Sequence, residues 1–160
     1  MKARSQSSSI RKERFDMEPV KIRRARPGDA ARLAELSGQL GYPASRAEIA
    51  QRMKRVRPAT LHAIFVAESE SGVSGWLHVS VTPLLEAALR AEVNGLVVDE
   101  NMRSLGAGAK LLAAAERWAA ARGCKSMSVR SNVVRERAHA FYLRNGYELY
   151  KTQKAFRKSL

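Results

Sequence analysis

Apolar positions near the start of the chain are spaced first as in a strand and then as in a helix. Residues 20–25 alternate apolar and charged side chains, which is typical of a strand with one buried face. An N-capping aspartate, leucines at helical spacing and a terminating glycine then predict a first helix. These residues are Asp29, Leu33, Leu36, Leu40 and Gly41.

A capping box predicts where the second helix begins. Ser45 and Glu48 have the spacing at which each side chain bonds the free backbone N–H of the other. One face of this helix is apolar, and a proline is expected to stop it. The residues concerned are Ile49, Met53, Val56 and Pro58.

The middle of the chain is rich in residues that favour strands. Residues 62–67 and 73–82 are predicted as two strands, with a hairpin loop at 69–72. A further strand is predicted over 92–98, and one helical turn is expected in the connection at 83–90.

The last third of the chain predicts two helices that alternate with short strands. The elements are a helix over 106–122 closed by Gly123, a strand over 125–130, a helix over 135–144 stopped by Asn145-Gly146, and two short strands within 147–160. The complete order, β-α-α-β-β-β-α-β-α-β, indicates one mixed α/β layer structure.

Length and composition favour one globular domain over 19–160. The chain has 160 residues, of which 45% are hydrophobic. Residues 1–18 are polar and serine-rich, and we expect them to form a disordered basic tail. No apolar run approaches the roughly 20 residues of a membrane span, and the N-terminus lacks the apolar region of a secretory signal. The single cysteine, Cys124, excludes an internal disulfide, so a cytoplasmic protein is expected.

The charge of the chain is strongly positive. The formal net charge is +14, which attracts polyanions such as nucleic acid, an acidic membrane surface or a phosphorylated small molecule. Charge alone does not choose among these partners.

A short glycine-containing loop is the most informative segment. A predicted strand leads into Arg103-Ser-Leu-Gly-Ala-Gly108, which opens a long helix. Unpaired backbone N–H groups and the helix dipole at such a turn form a site for an anion the size of a pyrophosphate. A dinucleotide fingerprint would need a third glycine where Leu111 stands, and an ATP-type loop would need Ser or Thr after Lys110. The alternative is that two small residues merely ease the start of the helix.

Two motifs resemble the GNAT acetyltransferase superfamily. Arg103-x-x-Gly106-x-Gly108 after a strand is similar to its acetyl-CoA signature, Q/R-x-x-G-x-G/A. The segments 130–132 and 138–147 resemble its downstream N…A…FY…GF/Y block. The resemblance spans about residues 20–158. It implies an α/β (α+β) fold with a mostly antiparallel mixed sheet, in which strands 4 and 5 are parallel and splayed, flanked by about four helices.

The same resemblance implies acetyl-CoA as cofactor and a set of residues that bind it. The loop amides would hold the pyrophosphate, and the preceding strand would pair with the pantetheine arm like an added strand. The implied cofactor residues are Leu96, Val97, Val98, Arg103, Ser104, Leu105, Gly106, Ala107, Gly108, Ala109, Lys110, Asn132, Ala138 and Tyr142.

Acetyl transfer to an amine needs a proton acceptor and a partner for the departing thiolate. Tyr142 matches the family tyrosine that faces the sulfur and is assigned as general acid or as hydrogen-bond donor to the thiolate. Glu92 lies eleven residues before Arg103, as the catalytic glutamate does in some members, and is the candidate base. A chain of waters is the alternative base, and Glu86, His78 and His62 are weaker candidates.

The acceptor is expected to contact the first two helices and the strand that carries Trp76. Tyr42, Trp76 and His78 would line its site, and Glu86 with Glu92 would attract a cationic amine. These features suit an aminoglycoside- or polyamine-like small molecule, and also a peptide amine. No metal site is expected.

Two other functions are consistent with parts of the sequence. A basic nucleic-acid-binding module fits the charge and the helix-turn-helix-like segment 45–52, but it gives the glycine loop no role. A non-catalytic sensor of acetyl-CoA would keep the loop without the chemistry. Neither specific nucleic-acid binding nor membrane binding is expected, and a homodimer is an option because many members dimerise.

Overall fold

One five-stranded sheet forms the centre of the protein in a computed structural model that describes residues 19–56 and 61–160. The strands lie in the order β1 to β5, and only the last neighbours, β4 and β5, are parallel. The strands are β1 (Lys21–Arg24), β2 (His62–Ser69), β3 (Gly72–Val81), β4 (Arg90–Val98) and β5 (Ser126–Val129). This arrangement confirms the mixed α/β fold with a mostly antiparallel sheet.

Four α-helices flank the sheet, as predicted. They are α1 (Ala30–Leu40), α2 (Arg46–Val56), α3 (Ala107–Ala120) and α4 (Glu136–Arg144), and short 3-10 helices cover Pro27–Asp29 and Glu100–Met102. The capping box at α2 is present. The N–H of Ser45 donates to Glu48 Oε2 at 2.7 Å, and the N–H of Glu48 donates to Ser45 Oγ at 3.2 Å. The disordered tail predicted at 1–18 and the helix stop at Pro58 lie outside the described residues.

Both faces of the sheet are covered. The consecutive residues Val66 and Ala67 are fully buried in different clusters, because neighbouring side chains of a strand point to opposite faces. Val66 packs in the cluster of α1 and α2, and Ala67 packs in the cluster that contains Leu111 of α3. A fully buried leucine such as Leu111 stabilises the fold by about 2 kcal/mol. The described residues contain no helix of the length and apolarity that a membrane crossing requires.

Strands β4 and β5 separate before β4 ends. Their parallel pairing runs from Arg90↔Ser126 to Val93↔Val129, whereas β4 stays paired with β3 as far as Val98. Residues 95–98 of β4 therefore have an open edge on the β5 side. A register shift between His78 and Val79 of β3, opposite Asn94, lies at the point of separation. The splay that the family resemblance implied is present.

Two predicted elements differ from the structure. Residues 83–90 contain no helical turn; the chain reverses there, and Leu84 bridges Ala87. The segment 147–160 contains no strand, and every residue from Glu148 to Leu160 is exposed. A strand needs a neighbouring edge for its backbone N–H and C=O groups, and no described strand pairs with this segment.

Candidate functional site

The loop between β4 and α3 presents unpaired backbone N–H groups. Gly106 takes a left-handed conformation with φ 84°, and a Cβ atom there would meet nothing within 4 Å. The N–H of Lys110 donates to the carbonyl of Gly106 at 3.1 Å and is the first to bond back along the helix. The N–H groups of Ala107, Gly108 and Ala109 therefore have no acceptor within the helix. With the helix dipole, they form an exposed site suited to an anion.

Helix α1 anchors this loop from the other side of the sheet. Arg32 forms an ion pair with Asp99, the first residue after β4, and Gln39 Oε1 accepts from the N–H of Glu100 at 3.0 Å. A hydrogen bond from the N–H of Asn101, together with Arg32, lowers the pKa of the Asp99 carboxyl, so Asp99 stays ionised. Within the loop itself, Arg103 Nε donates to the carbonyl of Val98, the last residue of β4, at 3.2 Å.

Gly108 allows α4 to lie against the start of α3. A Cβ atom at this position would approach the ring of Phe141 to 3.2 Å, which is closer than nine in ten such contacts. Phe141 in turn packs edge-on against Tyr142, with ring centroids 5.2 Å apart. The second glycine of the motif thus serves helix packing and places Tyr142 next to the open part of β4.

An open cleft lies where β4 and β5 separate, and we call it the β4–β5 cleft. It holds about 610 Å³ of space, including solvent at its mouth. Its lining comes from the end of α1 and the loop after it, from the two strands, from the β5–α4 loop and from α4. The lining residues are Leu40, Tyr42, Val93, Asn94, Gly95, Leu96, Val129, Arg130, Ser131, Asn132, Arg135, Ala138 and Tyr142.

Tyr142 is largely buried in this cleft. Burial raises the pKa of its hydroxyl to about 12, and the nearby charge of Arg135 only partly opposes the shift. The ring of Tyr147 packs against it at 5.6 Å between centroids. The Tyr142 hydroxyl therefore carries its proton at neutral pH and can donate it.

The cleft brings together five of the residues that the sequence suggested. Tyr42, Leu96, Asn132, Ala138 and Tyr142 all line it. The side chain of Asn132 also accepts from the N–H of Val134 at 3.2 Å, which shapes the turn before α4.

Four residues predicted as catalytic or acceptor-binding do not line the cleft, and neither do the predicted cofactor residues Val97, Val98 and 103–110. The four are Trp76, His78, Glu86 and Glu92. Trp76 lies beneath it, because a Cβ atom on Gly95 would be only 2.8 Å from the Trp76 ring. Gly95 thus makes room for the indole in the strand that borders the cleft. Glu86 is exposed in the turn between Leu84 and Ala87.

Glu92 lies at the edge of the cleft in an ion pair. Arg130 Nε contacts Glu92 Oε1 at 2.6 Å, and Arg130 itself lines the cleft. On β4, Glu92 faces Ser80 of β3 and Ser128 of β5 in the sheet register. The carboxylate is therefore next to the point of strand separation but is already bound by a cation.

His78 forms a pair with His62 on the neighbouring strand. His62 Nδ1 and His78 Nε2 are 3.1 Å apart, and the rings stack with centroids at 5.3 Å. Burial, with a smaller contribution from His62, lowers the pKa of His78 to about 4. His78 is consequently neutral at physiological pH. A smaller cavity between β1, β2 and α2 also borders His62, which was a weaker candidate base, and no other predicted site residue lines it.

Sequence reasoning missed four polar residues of the cleft: Asn94, Ser131, Arg130 and Arg135. Arg130 and Arg135 flank Asn132 in the motif, so their proximity along the chain was an available signal. Their position beside Leu40 and Glu92 depends on contacts between distant segments. In the described part of the chain, no group of three or more His, Cys, Asp and Glu side chains could hold a metal ion.

Comparison with known proteins gives consistent results. The family model described as "Acetyltransferase (GNAT) family" matches residues 32–147. The uncharacterized N-acetyltransferase YhfO of Bacillus subtilis is 29% identical over 134 residues, which cover 81% of this chain and 90% of that protein.

Solved structures of acetyltransferases share the fold. An aminoglycoside N-acetyltransferase, AAC(6')-Iy, in complex with CoA superposes with a TM-score of 0.81 at 18% identity, covering 90% of this chain and 97% of that one. Glucosamine-6-phosphate N-acetyltransferase from Arabidopsis thaliana has a TM-score of 0.76 at 21% identity, covering 89% and 100%. At these identities the likeness concerns the fold.

Proposed function

The chain belongs to the acetyltransferase (GNAT) family, and on that premise we propose that it transfers the acetyl group of acetyl-CoA to a primary amine in a ternary complex. Membership makes it an acyl-CoA-binding acetyltransferase. The identity of the acyl group, the type of acceptor and the roles of individual residues are parts of the proposal.

The observation that carries the proposal is the open edge of β4, which lies between the loop before α3 and the β4–β5 cleft. At one end of residues 95–98 lies the loop with unpaired N–H groups, and at the other lies the cleft with Tyr142. Three extended residues, Leu96 to Val98, span about 10 Å. This supports a coenzyme whose pyrophosphate binds the loop while its pantetheine arm pairs with Leu96–Val98 and its thioester reaches Tyr142.

The chemistry needs one bond made and one broken. The neutral amine nitrogen attacks the thioester carbonyl carbon, the C–S bond breaks, and the products are an amide and CoA thiol. The protonated Tyr142 hydroxyl donates to the departing thiolate. The proton lost by the amine goes to Glu92, which lies at the edge of the cleft beside Arg130, and release of this proton to solvent with uptake of one by Tyr142 restores both groups. Holding both reactants in the cleft contributes to the rate by proximity.

The first experiment measures coenzyme binding and turnover separately. Millimolar CoA or acetyl-CoA should raise the melting temperature, because a ligand that binds only the native state stabilises it. Thiol release from acetyl-CoA should then depend on an added amine from a panel of amino acids, amino sugars, polyamines, aminoglycosides and peptides. Absence of any thermal shift would contradict the proposal. Coenzyme binding without amine-dependent release would indicate a sensor instead of an enzyme.

A further inference from the structure

The charged side chains that line the β4–β5 cleft are both arginines. Arg130 follows β5, and Arg135 immediately precedes α4. Among the lining residues of the described chain there is no Asp or Glu. The cleft is therefore positively charged, in a protein whose net charge is already +14.

Arg130 pairs with the Glu92 carboxylate at the edge of the cleft and keeps donors for a further acceptor. Its Nε engages Glu92 Oε1 at 2.6 Å, while its side chain remains 82% exposed. A guanidinium has five N–H donors in a fixed plane, so this contact leaves the outer NH2 groups for another acceptor.

Arg135 is held in place by the end of α1. Its Nη2 donates to the carbonyl of Leu40 at 2.7 Å, and a Cβ atom on Gly41 would lie 3.5 Å from the same nitrogen. The C-terminal end of a helix favours a cation, so the guanidinium is positioned before any ligand arrives. The charge of Arg135 also acts on the Tyr142 hydroxyl, which places it near the reacting end of the cleft.

These contacts reverse the charge that the sequence suggested for the acceptor site. Glu86 and Glu92 were expected to attract a cationic amine. Glu86 is exposed outside the cleft lining, and Glu92 is bound to Arg130. A polycation would meet two guanidinium groups and no free carboxylate among the lining residues. Repulsion between these positive charges would weaken its binding.

We propose that the acceptor is an amine that also carries an anionic group, a carboxylate or a phosphate, which Arg130 and Arg135 bind while the amine reaches the thioester. This inference rests on the proposed function and narrows its substrate class. Arginine suits the role because its planar donors match both carboxylate and phosphate with charge-assisted hydrogen bonds. The loop residues 103–110 do not line the cleft, so the two arginines are separate from the proposed pyrophosphate site.

The test compares acceptors that differ only in the anionic group. Glucosamine 6-phosphate is paired with glucosamine, and glycine is paired with glycinamide, so that phosphate and carboxylate are examined separately. Spermidine and kanamycin serve as polycations. With saturating acetyl-CoA at fixed ionic strength, we expect kcat/KM for the anionic member of at least one pair to exceed that of its neutral partner about tenfold or more. Equal values in both pairs, or a preference for the polycations, would overturn the inference.

Variants locate the effect in the cleft. Arg130→Gln and Arg135→Gln should each remove most of the advantage of the anionic acceptor over its neutral partner, while the Kd of CoA measured by calorimetry stays the same. For Arg135→Gln, which does not remove the ion pair with Glu92, the loss should lie chiefly in KM. Arg130→Lys should restore part of the advantage, because it keeps the charge without the planar donors. Arg117→Gln on the exposed side of α3 lowers the net charge equally and should leave the preference unchanged. An equal effect of Arg117→Gln would assign the preference to overall charge and contradict the proposed site.

Failure of the inference can be told apart from failure of the proposed function. If amines are acetylated without regard to the anionic group, the function stands and the inference fails. If no amine is acetylated, the CoA-saturated protein is titrated with each acceptor pair by calorimetry. Binding of the anionic member that Arg130→Gln abolishes would then support the inference without catalysis, and identical binding of both members would overturn it.

Discussion

Among single residues, burial keeps the side chains of both Tyr142 and His78 uncharged at neutral pH. The pKa of Tyr142 is raised to about 12, so its hydroxyl keeps the proton that a general acid needs. The pKa of His78 is lowered to about 4, so its ring is neutral near pH 7 and its charge is costly. Both shifts arise because a low-dielectric environment disfavours the charged form.

Replacing Tyr142 by phenylalanine tests the acid role. We expect kcat to fall about 100-fold, in the range typical of lost acid–base catalysis, with little change in the Kd of CoA. Tyr147→Phe is the matched control, because that hydroxyl donates to Glu116 at 3.1 Å and does not line the cleft. Stopped-flow or steady-state thiol release measures both variants. Turnover of Tyr142→Phe equal to that of Tyr147→Phe would refute the assignment.

His78 predicts a pH dependence of stability. Its folded pKa of about 4 lies below the ordinary value of 6.5, so the unfolded chain binds more protons between these pH values. The free energy of unfolding should therefore fall as the pH drops from about 6.5 to 4, with about 2 kcal/mol of the loss due to His78 after allowance for its partial exposure. Urea unfolding of wild type and His78→Gln at several pH values measures the difference. An identical pH slope in the two proteins would contradict the prediction.

Among the secondary structure elements, the decisive feature is the junction of β4 and α3. The strand ends with an open edge, the helix begins with unpaired N–H groups, and Arg32 with Gln39 of α1 holds the loop between them. Gly106 lies at the junction with a left-handed backbone that L-residues adopt at a cost of about 1–2 kcal/mol.

Two substitutions at Gly106 separate backbone strain from anion binding. A side chain there meets no protein atom within 4 Å, so Gly106→Ala and Gly106→Glu should lose similar stability through φ alone. Only the glutamate places a negative charge at the proposed pyrophosphate site. We expect Gly106→Glu to weaken CoA binding at least tenfold more than Gly106→Ala, measured by calorimetry. Equal weakening of CoA binding in two folded variants would contradict the assignment of the pyrophosphate site to this loop.

For the whole molecule, the excess of positive charge is the dominant property. The net charge of +14 makes contact with any polyanion favourable at low salt. Such binding depends on the release of counterions and is insensitive to sequence.

Gel-shift titrations therefore distinguish a basic acetyltransferase from a nucleic-acid-binding module. With random duplex DNA we expect weak binding at 50 mM salt that falls by about three orders of magnitude by 200 mM, as for several phosphate contacts. Saturating CoA should not change this behaviour by more than a few-fold. Sequence-selective binding that persists at 200 mM salt would favour the nucleic-acid module.

Local interactions let the sequence by itself determine much of the architecture. The capping box at Ser45 and Glu48, the left-handed stop at Gly41 and the glycine loop before α3 depend on residues a few positions apart, so their spacing predicted them. The helix predicted over 135–144 likewise placed Tyr142 on α4. The two short strands predicted within 147–160 are absent, because strand pairing needs an edge that lies elsewhere in the chain.

Only the tertiary structure decided the chemistry of the cleft. Glu92 and Arg130 lie 38 positions apart and Leu40 and Arg135 lie 95 apart, and no local pattern joins them. The burial of Tyr142 and the separation of β4 from β5 likewise result from packing between distant elements. Residue spacing therefore determined the elements and the loop that opens α3, whereas the charge of the β4–β5 cleft followed from long-range contacts, because the fold sets which charged groups lie close together and which are buried.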